Sequence, residues 1–490
     1  MTALVALLAL PLAGALAAVV LPQGVVRGMV PALCAAMLAA AAALVAGMSA
    51  EGPTRLPLGG WAPPVGIALE ADGLAAAMIA MTVLVMTAAA LAARHALDPA
   101  AAGARAAFGF WPLMLLLWAA LNAVFVSRDL FNLYVGLELL SLASVGLVAI
   151  GGKAEALAAA MRYMLFALAG SLLYLAGVVL VYAAHGTLDM GLLAARSPAG
   201  TDALALALMT SGLMAKTALF PFHVWLPPAH GSAPAPASAM LSALVPKASF
   251  LILLRLWFEV MPDRAADGAL VLMAALGTAA VIWGSLQALV QTRLKLLVAY
   301  STVAQIGYLL LVFPLAGGAS AETPWSGGAW TGAVFIALAH GLAKAAMFLA
   351  VGQWMGMTGT DRLDGMRGLA TAMPMTAFAF ALAAMTLVGL PPSGGFTGKY
   401  LLMTSAFAAG QWIWALVLAG GGLLAAAYLY RPLATLFARA DAPGAALPPA
   451  RAMQAVPLGL AGAAIALGIA SDAPFEILSI GRPAAAEAGP

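Results

Sequence analysis

The chain has 490 residues, of which 64% are hydrophobic and only 8% are charged, and its formal net charge is +3. Soluble domains carry roughly a quarter charged residues, so this composition excludes a water-soluble globular protein. Apolar stretches near the ~20 residues that cross a bilayer recur from end to end. Lipid cannot form hydrogen bonds with exposed backbone N–H and C=O groups, so each stretch is expected to form a helix. The sequence therefore predicts an all-α, polytopic membrane protein with about fourteen transmembrane helices.

The fourteen predicted helices follow one another with short connections. They are predicted at 2–21, 25–47, 72–93, 107–126, 131–150, 157–183, 203–222, 238–258, 268–289, 296–315, 330–355, 372–390, 411–430 and 455–470. The first apolar stretch, Ala3 to Leu21, resembles a signal peptide in its small residues, but it lacks a basic region before the apolar core. We interpret it as helix 1.

Basic residues in the predicted loops indicate the orientation of the chain. One set of alternate loops carries Arg27, Arg94, Arg105, Lys153, Arg293, Lys295, Arg362, Arg367, Arg431, Arg439 and Arg451, and the other carries Arg55, Arg128, Arg196, Arg264 and Arg482. Cytoplasmic loops are enriched in Lys and Arg, so both termini are predicted on the non-cytoplasmic side of a prokaryotic inner (plasma) membrane. The basic balance reflects this topology and indicates no nucleic-acid partner.

Two predicted helices, the seventh and the twelfth, are interrupted by proline and glycine, at Pro221–Pro236 and Leu390–Phe396. Proline deletes a helix hydrogen bond, so each interruption predicts a broken helix, a feature that lies beside ion sites in many transporters. Breaks five helices apart suggest two inverted repeats. We predict a single transmembrane domain with a first repeat at 107–258, a second at 268–430, and helices 1–3 and 14 flanking them.

Ionisable residues inside membrane helices are costly and are functional candidates unless they reach an interface. Glu138 is the only carboxylate predicted in a helix interior, and Lys216 lies one turn before the first break. Burial disfavours a charged lysine, whereas a nearby carboxylate favours it. Movement of Glu138 relative to Lys216 would therefore load or unload a proton; a purely structural ion pair is the alternative for Glu138.

Further candidates continue into the second half of the chain. Lys247 follows Pro246 near a helix start, so its side chain could instead extend to the membrane interface. His340 and Lys344 are spaced i, i+4 and share one helix face. Lys399 follows the second break, and His223 lies at the first. We predict proton or cation translocation along Glu138, Lys216, Lys247, His340, Lys344 and Lys399, with His223 as an additional titrating group.

Other polar residues have weaker claims. Ser301, Gln305 and Tyr308 form a polar stripe on the tenth helix, suited either to proton-carrying water or to hydrogen bonds between helices. His230 is not included in the site, and Arg162 and Arg255 are expected to reach the interface or pair with phosphate headgroups. The single cysteine, Cys34, excludes disulfides and iron–sulfur or thiolate metal sites within the chain.

At these residues the chain resembles a known family. The segment Ala215–Pro234 (AKTALFPFHVWLPPAHGSAP) is similar to the signature of the antiporter-like subunits of respiratory complex I, and Tyr182–Met190 and Gly389–Lys399 look most like the D subunit of Mrp-type sodium/proton antiporters. The likeness covers nearly the whole chain. It implies a fourteen-helix subunit with repeats over helices 4–8 and 9–13.

The resemblance also assigns residues. Glu138 matches the family's helix-5 glutamate and Lys216 its helix-7 lysine, while Lys247, His340 and Lys399 match its central polar axis. A lysine at position 399, where some complex I paralogues have glutamate, favours the Mrp D-type or the quinone-proximal subunit. Arg293 departs from the family, whose members usually show an aspartate before the basic residue.

These observations favour a proton-translocating subunit of a multi-subunit Na⁺/proton antiporter, working with other membrane subunits and without a cofactor. The alternative is a proton-pumping subunit of a redox-driven complex, NADH:quinone oxidoreductase or a membrane-bound hydrogenase, whose partners supply the redox centres. A structural scaffold held in register by buried charges is a third hypothesis. No nucleophile elbow, phosphate-binding loop or metal-ligand spacing indicates an enzyme acting alone.

Overall fold

The computed structural model describes residues 1–96, 104–262, 264, 266–318, 323–438 and 448–482. Within these ranges, 13 helices are long and apolar enough to cross a membrane. One further crossing is built from two shorter helices on either side of a break. The predicted all-α, polytopic fold is confirmed, because hydropathy locates apolar stretches that only a helix can carry through lipid.

The crossing helices lie close to their predicted positions. They are α1 Thr2–Val20, α2 Gln23–Glu51, α3 Gly73–Ala96, α4 Ala104–Val126, α5 Leu130–Ala149, α6 Ala154–His185, α7a Asp202–Thr217, α7b Leu226–Ser232, α8 Ala235–Arg255, α9 Asp267–Val290, α10 Leu294–Leu309, α11 Pro324–Thr358, α12a Pro374–Val388, α12b Gly394–Ala408, α13 Trp412–Phe437 and α14 Arg451–Ile469. Shorter α-helices in the described residues are Met190–Ala194, Val312–Ala316, Leu369–Ala372 and Asp472–Ser479. Leu58–Gly60, Phe222–Trp225 and Leu363–Met366 form 3₁₀ turns, and the π-helical turn Leu256–Val260 extends α8.

Both predicted breaks are present. The chain leaves helical geometry at Ala218, whose φ of +59° is left-handed, and resumes at the 3₁₀ turn and α7b. At the second break, Gly389 takes a φ of +88°, and α12b restarts where Ser393 caps it by accepting from the backbone N–H of Phe396 at 3.2 Å. These breaks expose backbone carbonyls that a continuous helix would satisfy.

The innermost helices are α8 and α11, in which every residue of the most apolar 18-residue stretch is buried. The corresponding stretch of α10, continued through Val312–Ala316, is 89% buried, whereas those of α1, α2 and α14 are about one-third buried or less. Small residues permit the closest helix pairs. A Cβ on Gly170 of α6 would lie 2.7 Å from the carbonyl oxygen of Gly212 in α7a, and one on Gly332 of α11 would lie 2.8 Å from that of Gly398 in α12b.

One end of the bundle is closed by a small antiparallel hairpin, β1 Thr54–Pro57 and β2 Ala68–Ala71, paired from Thr54 with Ala71 to Pro57 with Ala68. Beside it lies an ion-pair cluster that we define as Glu70, Asp72, Arg128, Arg255 and Glu259. Arg255 donates from both Nη atoms to Asp72, at 2.8 and 2.9 Å. The expectation that Arg255 reaches the interface or a phosphate is wrong: its side chain is fully buried and carboxylates neutralise it.

The opposite end joins the connection before α10 to the connection after α11. Arg293 donates from Nε to both carboxylate oxygens of Asp361, at 3.0 and 3.1 Å, and the backbone N–H of Leu294 donates to the carbonyl oxygen of Asp361 at 2.7 Å. The aspartate that Arg293 pairs with therefore comes from another loop. Of the basic residues used to predict orientation, Arg439 lies outside the described residues.

Candidate functional site

The predicted pair Glu138 and Lys216 is brought together by α5 and α7a. Lys216 Nζ lies 3.2 Å from Glu138 Oε1 and donates to Ser141 Oγ at 2.9 Å. Ser171 of α6 donates a short hydrogen bond to the same Oε1 atom. The Lys216 side chain is 4% exposed and that of Glu138 is 27% exposed, so the carboxylate lies nearer the surface of the chain.

The first break positions Lys216 in the last turn of α7a. Trp225 follows the break and donates from Nε1 to the carbonyl oxygen of Ala215 at 2.9 Å, which satisfies one acceptor at the helix end. The indole ring also stacks on Tyr163 of α6, with ring centroids 4.0 Å apart. The proline-rich segment therefore folds back and braces the end of the helix that carries the lysine.

Lys247 lies on α8 and has no exposed surface. Its Nζ donates to the carbonyl oxygen of Ser242 at 2.7 Å. That carbonyl is free of its usual helix partner, because position 246 is a proline and has no N–H to donate to residue 242. Ser242 in turn shares a hydrogen bond of 2.9 Å with Thr302 Oγ1 on α10. The alternative that Lys247 reaches an interface is therefore wrong.

Lys344 extends this hydrogen-bonded chain from α11 to α10. Its Nζ donates to the carbonyl oxygen of Val298 at 2.9 Å and makes a short hydrogen bond to Ser301 Oγ. Thr302 donates to the same carbonyl at 3.1 Å. Lys247 and Lys344 are thus connected through Ser242, Thr302 and Val298, all of which are buried.

Lys399 lies beside the second break. Its Nζ donates to the last carbonyl oxygens of α12a, those of Leu387 at 3.0 Å and Val388 at 2.9 Å, and lies 4.5 Å from the ring centre of Tyr308. Gln305 also donates to the Leu387 carbonyl, at 2.9 Å. The negative end of a broken helix and an aromatic face thus surround the ammonium group. The polar stripe of α10 serves here as interhelical contact.

His340 occupies the space between these lysines. It is 2% exposed and interacts electrostatically with Lys247, Lys344 and Lys399. Neither ring nitrogen has a hydrogen-bond partner among the described residues. A buried imidazole surrounded by titratable cations can exchange a proton with any of them when one side chain rotates.

The structure does not bring His223 to this group. Its Nε2 accepts from Trp283 Nε1 at 3.0 Å, and its ring stacks on Phe220 with centroids 5.5 Å apart. Within the described part of the chain, none of its hydrogen bonds or ring contacts involves one of the lysines. The sequence placed His223 at the break correctly, but proximity to a break did not predict which way the ring faces.

Two buried residues near the lysines were missed. His230 on α7b packs on Phe348 at 5.2 Å and interacts electrostatically with Lys247, Lys344 and Lys295. Lys295 is 3% exposed and donates to the carbonyl oxygens of Gly231, at 3.4 Å, and Ala233. Pro227 and Pro228 are suited to the first turn of a helix and indicate where α7b starts, but no local pattern indicates that His230 faces the lysines.

Comparisons with known proteins agree with this arrangement. A family model described as NADH:quinone oxidoreductase/Mrp antiporter, transmembrane, matches residues 127–425, which contain every polar residue of the path. The N subunit of the NADH-quinone oxidoreductase of Desulforudis audaxviator is 35% identical over 461 residues, or 93% of this chain and 89% of that protein. The D subunit of the Na⁺/H⁺ antiporter of Bacillus subtilis is 31% identical over 375 residues, or 75% and 73% of the two chains.

Solved structures give the same result for the fold. A chain in the Mrp complex from Dietzia sp. DQ12-45-1b superposes with a TM-score of 0.87 at 28% identity, covering 99% of both chains. A chain in the archaeal membrane-bound sulfane sulfur reductase superposes equally well, with a TM-score of 0.87 at 26% identity, over 99% of this chain and 97% of that one. This chain is therefore similar along its whole length to subunits of multi-subunit membrane complexes.

Proposed function

This chain belongs to the NADH:quinone oxidoreductase/Mrp antiporter transmembrane family, and we propose that it is the proton-translocating membrane subunit of a multi-subunit monovalent cation/proton antiporter, with Na⁺ as the cation. One observation carries the proposal. An ion pair between the half-buried Glu138 and the buried Lys216 at one broken helix is followed by buried lysines that extend to the other broken helix. Such a series of titratable groups within membrane helices is suited to proton transfer.

The proposed path runs from Glu138 and Lys216 to Lys247, Lys344 and Lys399, with His340 between the last three. The contacts of Ser242, Thr302 and Val298 orient Lys247 and Lys344. Because carbonyl oxygens only accept, the proton itself would pass between the two lysines through His340 when a side chain rotates. No hydrogen bond links the contacts of Lys216 to those of Lys247 among the described residues, and His340 lies near only the later lysines, so we place a gate between Lys216 and Lys247. We propose His223 only as a titrating group near the first break, separate from the path.

The direct test is antiport in everted membrane vesicles. The chain would be expressed with its partner subunits in an antiporter-deficient host, and a pH-sensitive dye would be followed as Na⁺, K⁺ or Li⁺ is added. Glu138→Gln would be compared with Glu51→Gln, which removes an exposed carboxylate at the end of α2. Recovery of the dye signal that depends on Glu138 supports antiport and identifies the cation; equal recovery in both variants rejects the proposed path.

The organisation into repeats is part of the proposal. We infer a first repeat at 107–258 and a second at 268–430, because each contains one broken helix and a close glycine contact between its third and fourth helices, α6 with α7a and α11 with α12b. In this arrangement each repeat provides one half of the path. Superposing the two repeats after inverting one of them in the membrane plane tests the inference; a failure of the broken helices to coincide would reject it.

We also infer that the chain lies in a prokaryotic inner membrane with both termini on the non-cytoplasmic side. The excess of basic residues in alternate loops supports this orientation. The hairpin, the ion-pair cluster and the C-terminal helix Asp472–Ser479 share that side, since the backbone N–H of Gly73 donates to the carbonyl oxygen of Ile480 at 2.8 Å. A periplasm-active reporter fused to the C-terminus should be active, and a cytoplasm-active reporter should not.

A redox-driven proton pump is the second candidate function. The similarity to the N subunit of an NADH-quinone oxidoreductase, at 35% identity over 93% of this chain, favours it. In that case the same path would be driven by electron transfer in partner subunits. Proton uptake by vesicles on adding an electron donor, without any response to added Na⁺, K⁺ or Li⁺, would support this candidate over antiport.

A further inference from the structure

A cavity of 370 Å³ lies at the membrane end of the molecule opposite the hairpin. Its walls are the start of α6, the segment α7b and the connection from α9 to α10. Polar and charged side chains line it: Glu155, Arg162, Ser232, Gln291, Arg293 and Tyr300. The cavity is separate from the path of buried lysines.

Two guanidinium groups line this cavity. Arg162 is exposed and makes no hydrogen bond or ion pair with any other described residue. It lies eight residues after the first residue of α6, about 12 Å along the helix axis, at a depth where an arginine extends toward the headgroup region. Arg293 uses Nε for its bonds to Asp361, and its Nη atoms have no hydrogen-bond partner among the described residues. Because Asp361 neutralises Arg293, Arg162 is the cation of the cavity wall that has no ion-pair partner among the described residues.

An apolar surface continues from the cavity along α6. Met161, Leu165, Leu168 and Leu172 are 54%, 58%, 47% and 55% exposed, and their spacing of four, three and four residues places them on one helix face. A headgroup in the cavity would therefore have its acyl chains against this face. A free phosphate ion would make no use of it.

We propose that this cavity binds the phosphate of a phospholipid with one net negative charge, with the acyl chains along the exposed face of α6. Basic pockets between membrane helices on the cytoplasmic side bind anionic headgroups. The unpaired Arg162 matches the single charge of one phosphodiester, and Glu155 disfavours headgroups with a second negative charge. Guanidinium groups bind phosphate oxygens in pairs, which a lysine cannot do.

The lipid would contact the helix segment that follows the first break. Gly231 and Ser232 of α7b form part of the cavity wall, and the Gly231 carbonyl oxygen accepts from Lys295 on the opposite side of this segment. The headgroup therefore occupies the outer side of α7b, while His230 and Lys295 occupy its inner side. Bound lipid would stabilise the position of α7b in the bundle.

The test uses the assembled complex in vesicles that contain a photoactivatable phosphatidylglycerol. Labelling of peptides from α6 and α7b would be measured for the wild type, Arg162→Gln, Ala158→Trp and Arg94→Gln. Ala158 is an exposed cavity residue, so tryptophan fills the space without a change of charge, and Arg94 is an exposed arginine at the same end of the molecule. Assembly of each variant would be checked by size-exclusion chromatography.

We expect labelling to fall about tenfold in Arg162→Gln, the effect of losing charge-assisted hydrogen bonds, to fall similarly in Ala158→Trp, and to stay unchanged in Arg94→Gln. Excess unlabelled phosphatidylglycerol should compete, and millimolar inorganic phosphate should not. Labelling that is equal in all four proteins overturns the proposal. Competition by inorganic phosphate would indicate a soluble anion, and crosslinking of a partner subunit at this cavity would indicate a protein occupant; either result also overturns it.

Discussion

The two halves of the polar path hold their buried lysines by different means. Lys216 has a carboxylate, Glu138, within 3.2 Å. Lys344 and Lys399 are instead surrounded by carbonyl oxygens, a hydroxyl group and an aromatic ring, and no described carboxylate lies within ion-pair distance of either. A fixed counter-ion is thus present at only one end of the path, so the loss of a charge should have different consequences in the two halves.

Neutralising the carboxylate should have the largest effect. Glu138→Gln is expected to reduce antiport to below about a tenth of wild type, because it removes the carboxylate that holds the proton at the buried Lys216. The measurement is dye recovery in everted vesicles, with Glu51→Gln as the matched control. Wild-type activity in both Glu138→Gln and Lys216→Ala would contradict the relay.

The double variant Glu138→Gln/Lys216→Met separates a relay from a scaffold. Removing both charges leaves no unpaired buried ion, so we expect the Tm of the assembled complex to return toward the wild-type value while antiport stays absent. Thermal unfolding and vesicle transport would be measured on the same preparation. Preserved transport in this variant would mean that the charges only hold the helices together.

Single lysine substitutions should destabilise the protein to different extents in the two halves of the path. Lys216→Met leaves Glu138 without its counter-ion and should lower Tm by more than Lys399→Met, which leaves only carbonyl oxygens and Tyr308 without a cation. Both variants should lose antiport by about tenfold or more. If Lys399→Met proved the more destabilising change, Lys399 would have a counter-ion that is absent from the described residues.

The hydroxyl beside Lys344 should matter less. Ser301→Ala removes one acceptor of Lys344 Nζ and should reduce antiport by roughly two- to tenfold, the range for one hydrogen bond. Ser211→Ala is a suitable control, since Ser211 Oγ donates only to the carbonyl oxygen of Ala207 in its own helix, at 2.8 Å. If Ser301→Ala reduced antiport as much as Glu138→Gln does, the contact between Ser301 and Lys344 would be as essential as the Glu138–Lys216 ion pair, and the contrast between the two halves would fail.

The ion-pair cluster beside the hairpin should affect stability only. Burial by itself raises the pKa of Asp72, but the Arg255 guanidinium, with a smaller contribution from Arg128, holds it below its ordinary value. The resulting stabilisation is present above about pH 4, the ordinary pKa of aspartate, and is lost as the pH falls further. The Tm difference between wild type and Asp72→Asn should therefore shrink from about pH 6 to about pH 3, whereas exposed Asp364→Asn should show little difference at any pH.

Much of this architecture could be predicted from the sequence, because the bilayer leaves few choices. Hydropathy located the crossings, and proline and glycine located both breaks. The exceptions are long-range contacts: Arg255 is paired with Asp72, 183 positions away, and no local pattern indicates such a partner. Lys295 was assigned to a loop because the tenth helix was predicted to begin at 296, yet α10 begins at Leu294 and turns the lysine inward.

The glycine contacts between α6 and α7a and between α11 and α12b also predict which positions of this sequence tolerate substitution. At Gly170, Gly212, Gly332 and Gly398, a methyl group would lie within 3 Å of the facing helix backbone, whereas Gly420, Gly459 and Gly462 have no atom within 4 Å of that position. A saturation library selected for growth should therefore exclude even alanine at the first four positions and accept many residues at the last three. Of the 51 glycines in the chain, those along the two helix contacts would then share this intolerance with other tightly packed glycines, such as Gly277 and Gly307 between α9 and α10.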